Sequence, residues 1–355
     1  FWLKGVAPAA RAAVLGASAP VRGRAPAAPP WVALGRSLED MVVRLGASRE
    51  DARPAPPTRI SDALRGRRQQ YAFLALPAAE QVWAHAVNSQ AELHRALGNP
   101  AITALEADIL LGVVPGAEGD TPRPIMAHPP RRVSDLSFEA FLGACLSDGK
   151  RHVKLDFKEL DAARACLPAL AAVAGRLAAS GQAVWLNADV LPGPGRRRPP
   201  SVPAADFLEL VRAHCPGAPL SLGWGVFPAA LPCGEGYAEA DCAAMAAVYD
   251  AYTRRLACDP AGVVFAASLR LAARSTGALA GLLQRVPGSQ LLLWTGAGES
   301  PAPAAVVRQT REAFRALGLG DRVGFDCQVA RGALQACAAE LRMGLGGVLT
   351  CVGCM

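Results

Sequence analysis

No stretch of the 355-residue chain reaches the ~18 uninterrupted apolar residues of a membrane-spanning helix, so composition argues against a transmembrane segment. No secretory signal is legible. The ten cysteines have no framework spacing, which argues against a disulfide scaffold; Cys145, Cys166 and Cys242 fall in helix-like apolar patterns, where cysteine acts as a small hydrophobe. The C-x-x-C at 351–354 lacks the second pair a zinc site would need. Neither G-x-G-x-x-G nor G-x-x-x-x-G-K-[ST] follows the first apolar run, which removes the usual signals of an open dinucleotide- or phosphate-binding sheet. The net charge of +7 is also local. Residues 1–70 hold 12 Lys and Arg against 5 Asp and Glu, whereas residues 71–355 hold 25 of each, so the body has no cationic field for nucleic acid.

Residues 1–70 are rich in Ala, Pro, Gly and Arg, a composition too poor in core-forming residues to offset chain entropy. We expect a disordered extension there, loosely similar to a transit peptide, followed by one domain over residues 71–355. An intracellular, reducing location is the expectation that goes with the cysteine usage.

From residue 80 onward short apolar runs alternate with longer segments of helical period. The runs are 81–87, 102–111, 152–157, 183–190, 220–226, 262–269, 290–295 and 323–327. Helical spacing between them is clearest at 163–180, 202–215, 238–256, 275–286 and 302–317. Strands alternating with helices imply parallel pairing, and eight such units over about 270 residues predict a (β/α)₈ barrel.

In such barrels the chemistry sits at the C-terminal ends of the strands. The first run ends at His85 with Asn88 beyond it. The second carries Glu106 and Asp108, two residues apart and therefore on one side, ~6.6 Å apart along the strand. His128 follows in "IMAHPP"; Asp156 and Lys158 close the third run, and Asn187 and Asp189 the fourth. Later runs offer Trp224, Arg270, Trp294 and Asp326. Singly, each has a structural reading: a core histidine, an ion pair inside the barrel, a turn cap. Four consecutive strands ending in polar and ionisable groups favour a functional cluster, because unpaired buried charges are costly. Three carboxylates suit Mg²⁺ or Ca²⁺, and two histidines are then free for proton transfer.

The series "AHAVNS … LEADILL … MAHPP … VKLDFK" resembles the active-site series of the phospholipase-C-like phosphodiesterase superfamily, which includes glycerophosphodiester phosphodiesterases and sphingomyelinase-D-type phospholipases. With "NADVLPGP", "SLGW" and "WTG", the chain over about residues 80–330 is similar to the menorin family of animals. The resemblance implies His85 and His128 as an acid/base pair and Glu106, Asp108 and Asp156 as ligands of one divalent cation. It also implies Lys158 as a phosphate contact, and Trp294 lies in a strand similar to the tryptophan strand of glycerophosphodiesterases. Asn88, Asn187 and Arg270 complete the candidate substrate contacts. The expected substrate is a small-molecule or lipid-headgroup phosphodiester; in the related enzymes an internal hydroxyl attacks first and gives a cyclic phosphate. Ala86 stands where glycerophosphodiesterases have a phosphate-gripping arginine, and Pro129 follows His128 where they have Asp. That departure supports a second expectation, a catalytically silent barrel that binds a ligand or a protein partner.

Overall fold

The computed structural model describes residues 80–116, 121–194, 199–226, 235–258, 260–296 and 299–329. The N-terminal extension, the Arg196–Arg198 run and the C-x-x-C pair lie outside these residues.

Nine strands form one sheet: β1 (Trp83–Ala84), β2 (Ala104–Gly112), β3 (Arg123–Met126), β4 (His152–Phe157), β5 (Val184–Pro192), β6 (Leu220–Gly225), β7 (Val263–Ser268), β8 (Gln290–Trp294) and β9 (Val323–Asp326). All except β3 are parallel to their neighbours in the order β1-β2-β4-β5-β6-β7-β8-β9. The crossovers contain α1 (Gln90–Gly98), α2 (Phe138–Asp148), α3 (Leu160–Ala179), α4 (Ala204–His214), α5 (Glu239–Thr253), α6 (Leu269–Ala272), α7 (Thr276–Arg285) and α8 (Ala304–Ala316). This is the (β/α)₈ architecture expected from the alternation of runs. Each helix legible as a spacing pattern is present, with ends displaced by one to three residues.

Period-two alternation divides the apolar residues into two cores. Leu105, Leu186, Phe265, Leu291 and Leu293 face outward and pack with the helices. Their neighbours Ala104, Trp185, Val264 and Leu292 join Trp83 in a compact plug inside the barrel. The Trp83 and Trp185 rings meet with centroids 5.0 Å apart. Helix α3 is long and apolar enough, by length and composition, to cross a membrane, but half of that stretch is buried inside the fold. Five of the six described cysteines are buried.

Two features differ from the expectation. β3 falls where the sequence suggests only a loop; it runs antiparallel to β2, pairing Met126 with Ile109 and Arg123 with Gly112. β1 is shorter than the run 81–87 and ends at Ala84, so His85 lies just past the strand. Among the described residues β9 and β1 share no ladder, and side chains bridge that seam.

Candidate functional site

The strand register aligns the polar residues in rows. Asp108 of β2 lies beside Asp156 of β4, which lies beside Asn187 of β5 and then Ser221 of β6. Glu106 lies beside Lys154 in the same way. One oxygen from each of Glu106, Asp108 and Asp156 falls within 4.8 Å of the others, so the three predicted ligands do converge.

The loop after β1 is built around this group. Ser89 caps α1 by accepting from the Glu92 amide, and the Glu92 carboxylate accepts from Asn88 N and Ser89 Oγ. Ser134 Oγ donates to the Asn88 carbonyl. So anchored, Asn88 gives Nδ2–H to Asp108 Oδ2 at 2.7 Å and receives the Asp108 amide on Oδ1 at 3.0 Å. Each functional end of Asn88 makes one bond to Asp108, which makes it a residue that positions Asp108 and leaves one N–H and one lone pair for a further contact. Ala86 adopts φ 54°, a left-handed conformation strained for a residue with a Cβ, and its N–H reaches Glu106 Oε2 at 2.7 Å.

His85 is one quarter exposed, with Nδ1 2.7 Å from Asp326 Oδ2 and 3.6 Å from Glu106 Oε2. A carboxylate only accepts, so Nδ1 carries a proton and Nε2 is the exchangeable position. Burial alone would lower the His85 pKa, but the carboxylates of Asp326 and Glu106 outweigh it and raise the group to about 9. Burial would raise Asp326, yet the His85 imidazolium holds it below the usual carboxylate value. Burial raises Glu106 to about 7, against the pull of His85 and with help from Asp108. Asp108 goes the other way: despite burial, the Lys158 ammonium and the Asn88 hydrogen bond lower it to about 2. Lys158 Nζ lies 2.8 Å from Asp108 Oδ1 and 2.7 Å from Asp156 Oδ2, and these carboxylates keep it well above the ordinary lysine value despite its burial.

His128 is reached differently. The β2–β3 hairpin returns the chain so that Ala127 N donates to the Asp108 carbonyl at 2.9 Å, which puts the next residue beside the acidic group. The imidazole is exposed, and Nδ1 donates to the Pro129 carbonyl at 2.7 Å. Nε2 is then the basic atom. In both histidines Nδ1 is tied, and Nε2 has no hydrogen-bond partner among the described residues.

The residues fit a hard cation. Asp156 Oδ1 is buried without a hydrogen-bond partner, an orphaned acceptor among carboxylates. Burial, with Asp108 beside it, raises Glu106 to about 7, and a bound cation would favour its ionised form.

Of the other sequence candidates, Asn187 is buried and accepts from Ser221 Oγ at 2.5 Å. Trp294 is half-buried at the mouth end of β8. Arg270 lies on α6, not on a strand, and is held by Glu299 at 2.7 Å and by the Ser300 carbonyl. Trp224 faces outward and packs on Tyr237. Asp189 sits at a bulge in the β5–β6 ladder. Lys154 escapes the sequence reading; it is buried with Nζ 4.0 Å from Asp326 Oδ2 and 5.6 Å from the centre of a Trp83 ring. Its signal is present in the chain: in "KLDFK" residues 154, 156 and 158 share one side of the strand.

The His85–Asp326 pair makes a direct prediction. In the metal-free protein a histidine-resolved NMR titration is expected to find His85 charged through neutrality, with a midpoint near pH 9. Because the folded pKa exceeds the unfolded value of about 6.5, its contribution to stability is complete below that value and is lost as pH rises through about 9. Asp326→Asn should lower the midpoint. A native midpoint at or below about 6.5 would show that the pair is misassigned.

A family model described as the menorin N-terminal domain matches residues 78–317. Protein FAM151B of Homo sapiens is 32% identical over 224 residues, covering 62% of this chain and 75% of that protein. Dihydropteroate synthase (FolP) of Thermus thermophilus superposes with a TM-score of 0.40 and 17% identity, over 76% of this chain and 94% of that chain. With the family match spanning most of the described barrel, this chain belongs to the menorin family.

Proposed function

We propose that this chain is a phosphodiesterase requiring one divalent cation, Mg²⁺ or Ca²⁺, and acting on a glycerophosphodiester or phospholipid-type phosphodiester. One observation carries the proposal: three carboxylate oxygens lie within 4.8 Å of one another, with His85 3.6 Å from Glu106 and His128 next to Ala127, whose N–H bonds the Asp108 carbonyl.

Glu106, Asp108 and Asp156 would hold the cation, which when bound would neutralise phosphate oxygens and make phosphorus a better electrophile. His128 accepts at Nε2 the proton of the attacking hydroxyl, from water or from the substrate itself. Its Nδ1–H, tied to Pro129, fixes the ring and the tautomer. His85 is charged at neutral pH and gives its Nε2 proton to the leaving alkoxide, while Nδ1 keeps its proton, donated as a hydrogen bond to the Asp326 carboxylate that stabilises the imidazolium. Lys158 stands beside the acidic group as the phosphate contact.

Turnover of a panel of diesters, comprising glycerophospho-headgroups, lysophospholipids and a chromogenic diester, tests the reading. Activity should require Mg²⁺ or Ca²⁺ and vanish in a chelator; no turnover of any member would overturn it. Cation binding is measurable separately. At a hundredfold excess over the dissociation constant it should stabilise by about 2.7 kcal/mol, which raises the melting temperature by roughly 5–10 °C in a domain this size. Asp108→Asn should remove most of that gain, and an equal gain in the variant would exclude Asp108 as a ligand.

A second reading is a barrel that binds a ligand or protein without catalysis. It is favoured by the scarcity of phosphate grips: Ala86 replaces an arginine, Asn88 is engaged with Asp108, and Arg270 is engaged with Glu299.

A further inference from the structure

We infer that Lys158 is an internal competitor of the divalent cation, so that the cation must displace its ammonium before the site can take an anion; this rests on the cation-site reading above. Lys158 continues the β4 ladder, its N–H donating to the Ile109 carbonyl at 2.9 Å, which points its side chain along the row of Asp108 and Asp156. There Nζ contacts Asp108 Oδ1 at 2.8 Å and Asp156 Oδ2 at 2.7 Å, giving two of its three donors to two of the three candidate ligands. Asp108 Oδ2 is engaged by Asn88, so both oxygens of Asp108 have partners while the lysine is in place. Only Asp156 Oδ1 is left buried and bare.

A dication bonded to these oxygens would sit at about 2.0–2.6 Å from them. An ammonium 2.7–2.8 Å from the same oxygens would then face it at close range, where like charges repel strongly. Lysine is suited to yielding, since a compact charge on a four-carbon stem can swing without moving backbone. It is also 18% exposed, more than either aspartate, so its way out is toward the mouth. In the metal-free state the carboxylates hold the charge that would greet an anion; in the loaded state that charge is released to the mouth. Cation and anion affinities are thereby coupled with positive sign, and the coupling is reciprocal.

Calorimetry with Mg²⁺ and Ca²⁺, and with inorganic phosphate in their presence and absence, tests the inference on the intact protein. Phosphate should bind about tenfold or more tightly once the cation is present, within the usual range of site-to-site coupling. Lys158→Met and Lys158→Gln should bind the cation about tenfold more tightly than the parent and keep only the smaller, direct part of the cation's effect on phosphate. Lys154→Met, which removes a buried ammonium paired with Asp326 instead, should change cation affinity far less. Phosphate binding equally well with and without cation would overturn the inference, as would unchanged or weakened cation binding in both Lys158 variants. Either result with cation still bound by the parent leaves the metal-dependent phosphodiesterase standing. Cation binding by the Lys158 variants but not by the parent would support the competition and remove the metal-dependent reading of the intact protein. No binding by either would overturn both.

Discussion

Replacing His128 by alanine is expected to cut diester turnover by about 10²-fold or more, the range for losing a positioned acid or base, with no change in melting temperature or cation affinity. The imidazole is exposed and its one observed bond is to a neighbouring carbonyl, so the fold loses nothing of consequence. His85→Ala should lose turnover on the same scale for a different reason and with a different accompaniment. It removes the partner of the buried Asp326 carboxylate, leaving only Lys154 at 4.0 Å, so about 1–3 kcal/mol of stability should go with the activity. The two losses should appear on opposite limbs of the pH–rate profile, since one histidine is read as base and the other as acid. Full activity in both variants would end the acid/base assignment. A loss in His85→Ala alone, tracking its stability, would reduce that residue to a bridge across the seam.

The second large effect is structural. Trp185→Ala is expected to cost about 3–5 kcal/mol, a fall of roughly 6–20 °C in melting temperature for a domain of this size. Trp185 is fully buried in the plug, its ring against that of Trp83 at a tilt of 38°. A cavity there cannot be filled by the helices, which lie outside the barrel wall. It would also loosen Trp83, the ring nearest the Lys154 ammonium, so disorder should spread upward into the charged layer. Leu317→Ala, at a half-exposed position, is the control and should stay within about 0.5 kcal/mol. A fall of less than about 2 °C in Trp185→Ala would mean that the barrel interior repacks freely.

The strands were legible because parallel barrel strands are buried on both faces and read as continuous apolar runs. β3 was not legible: four residues containing a proline give no period, and its place is set by pairing with β2. The carboxylates were legible as charges in otherwise apolar runs, where their repetition on successive strands stands out. Partnership was harder. Asp326 was visible as a polar strand end, but nothing near it in the chain announces His85, 241 residues away. Asn88 beside His85 looked like a substrate contact; its engagement depends on a helix cap and on Ser134, neither of which a linear reading connects to Asp108. That Arg270 starts a helix was not legible, because the chain turns from strand to helix at Leu269 without a glycine or proline to mark it.

The mouth is divided. β1, β2, β4, β5 and β9 bring the charges, whereas by alternation β6, β7 and β8 turn Gly223, Ala266, Ser268 and Trp294 inward. A Cβ at Gly223 would come within 2.3 Å of Asp189 Oδ1, so that position is closed to enlargement, but Ala266 and Ser268 carry no charge or ion pair that must be kept. Substitution on this arc can alter the shape and polarity of the chamber without disturbing the charged groups opposite. The barrel thus separates what it could do from what it could do it to. Among descendants of one ancestral barrel, diversification of substrate should be written on β7 and β8, while the opposite wall stays the same.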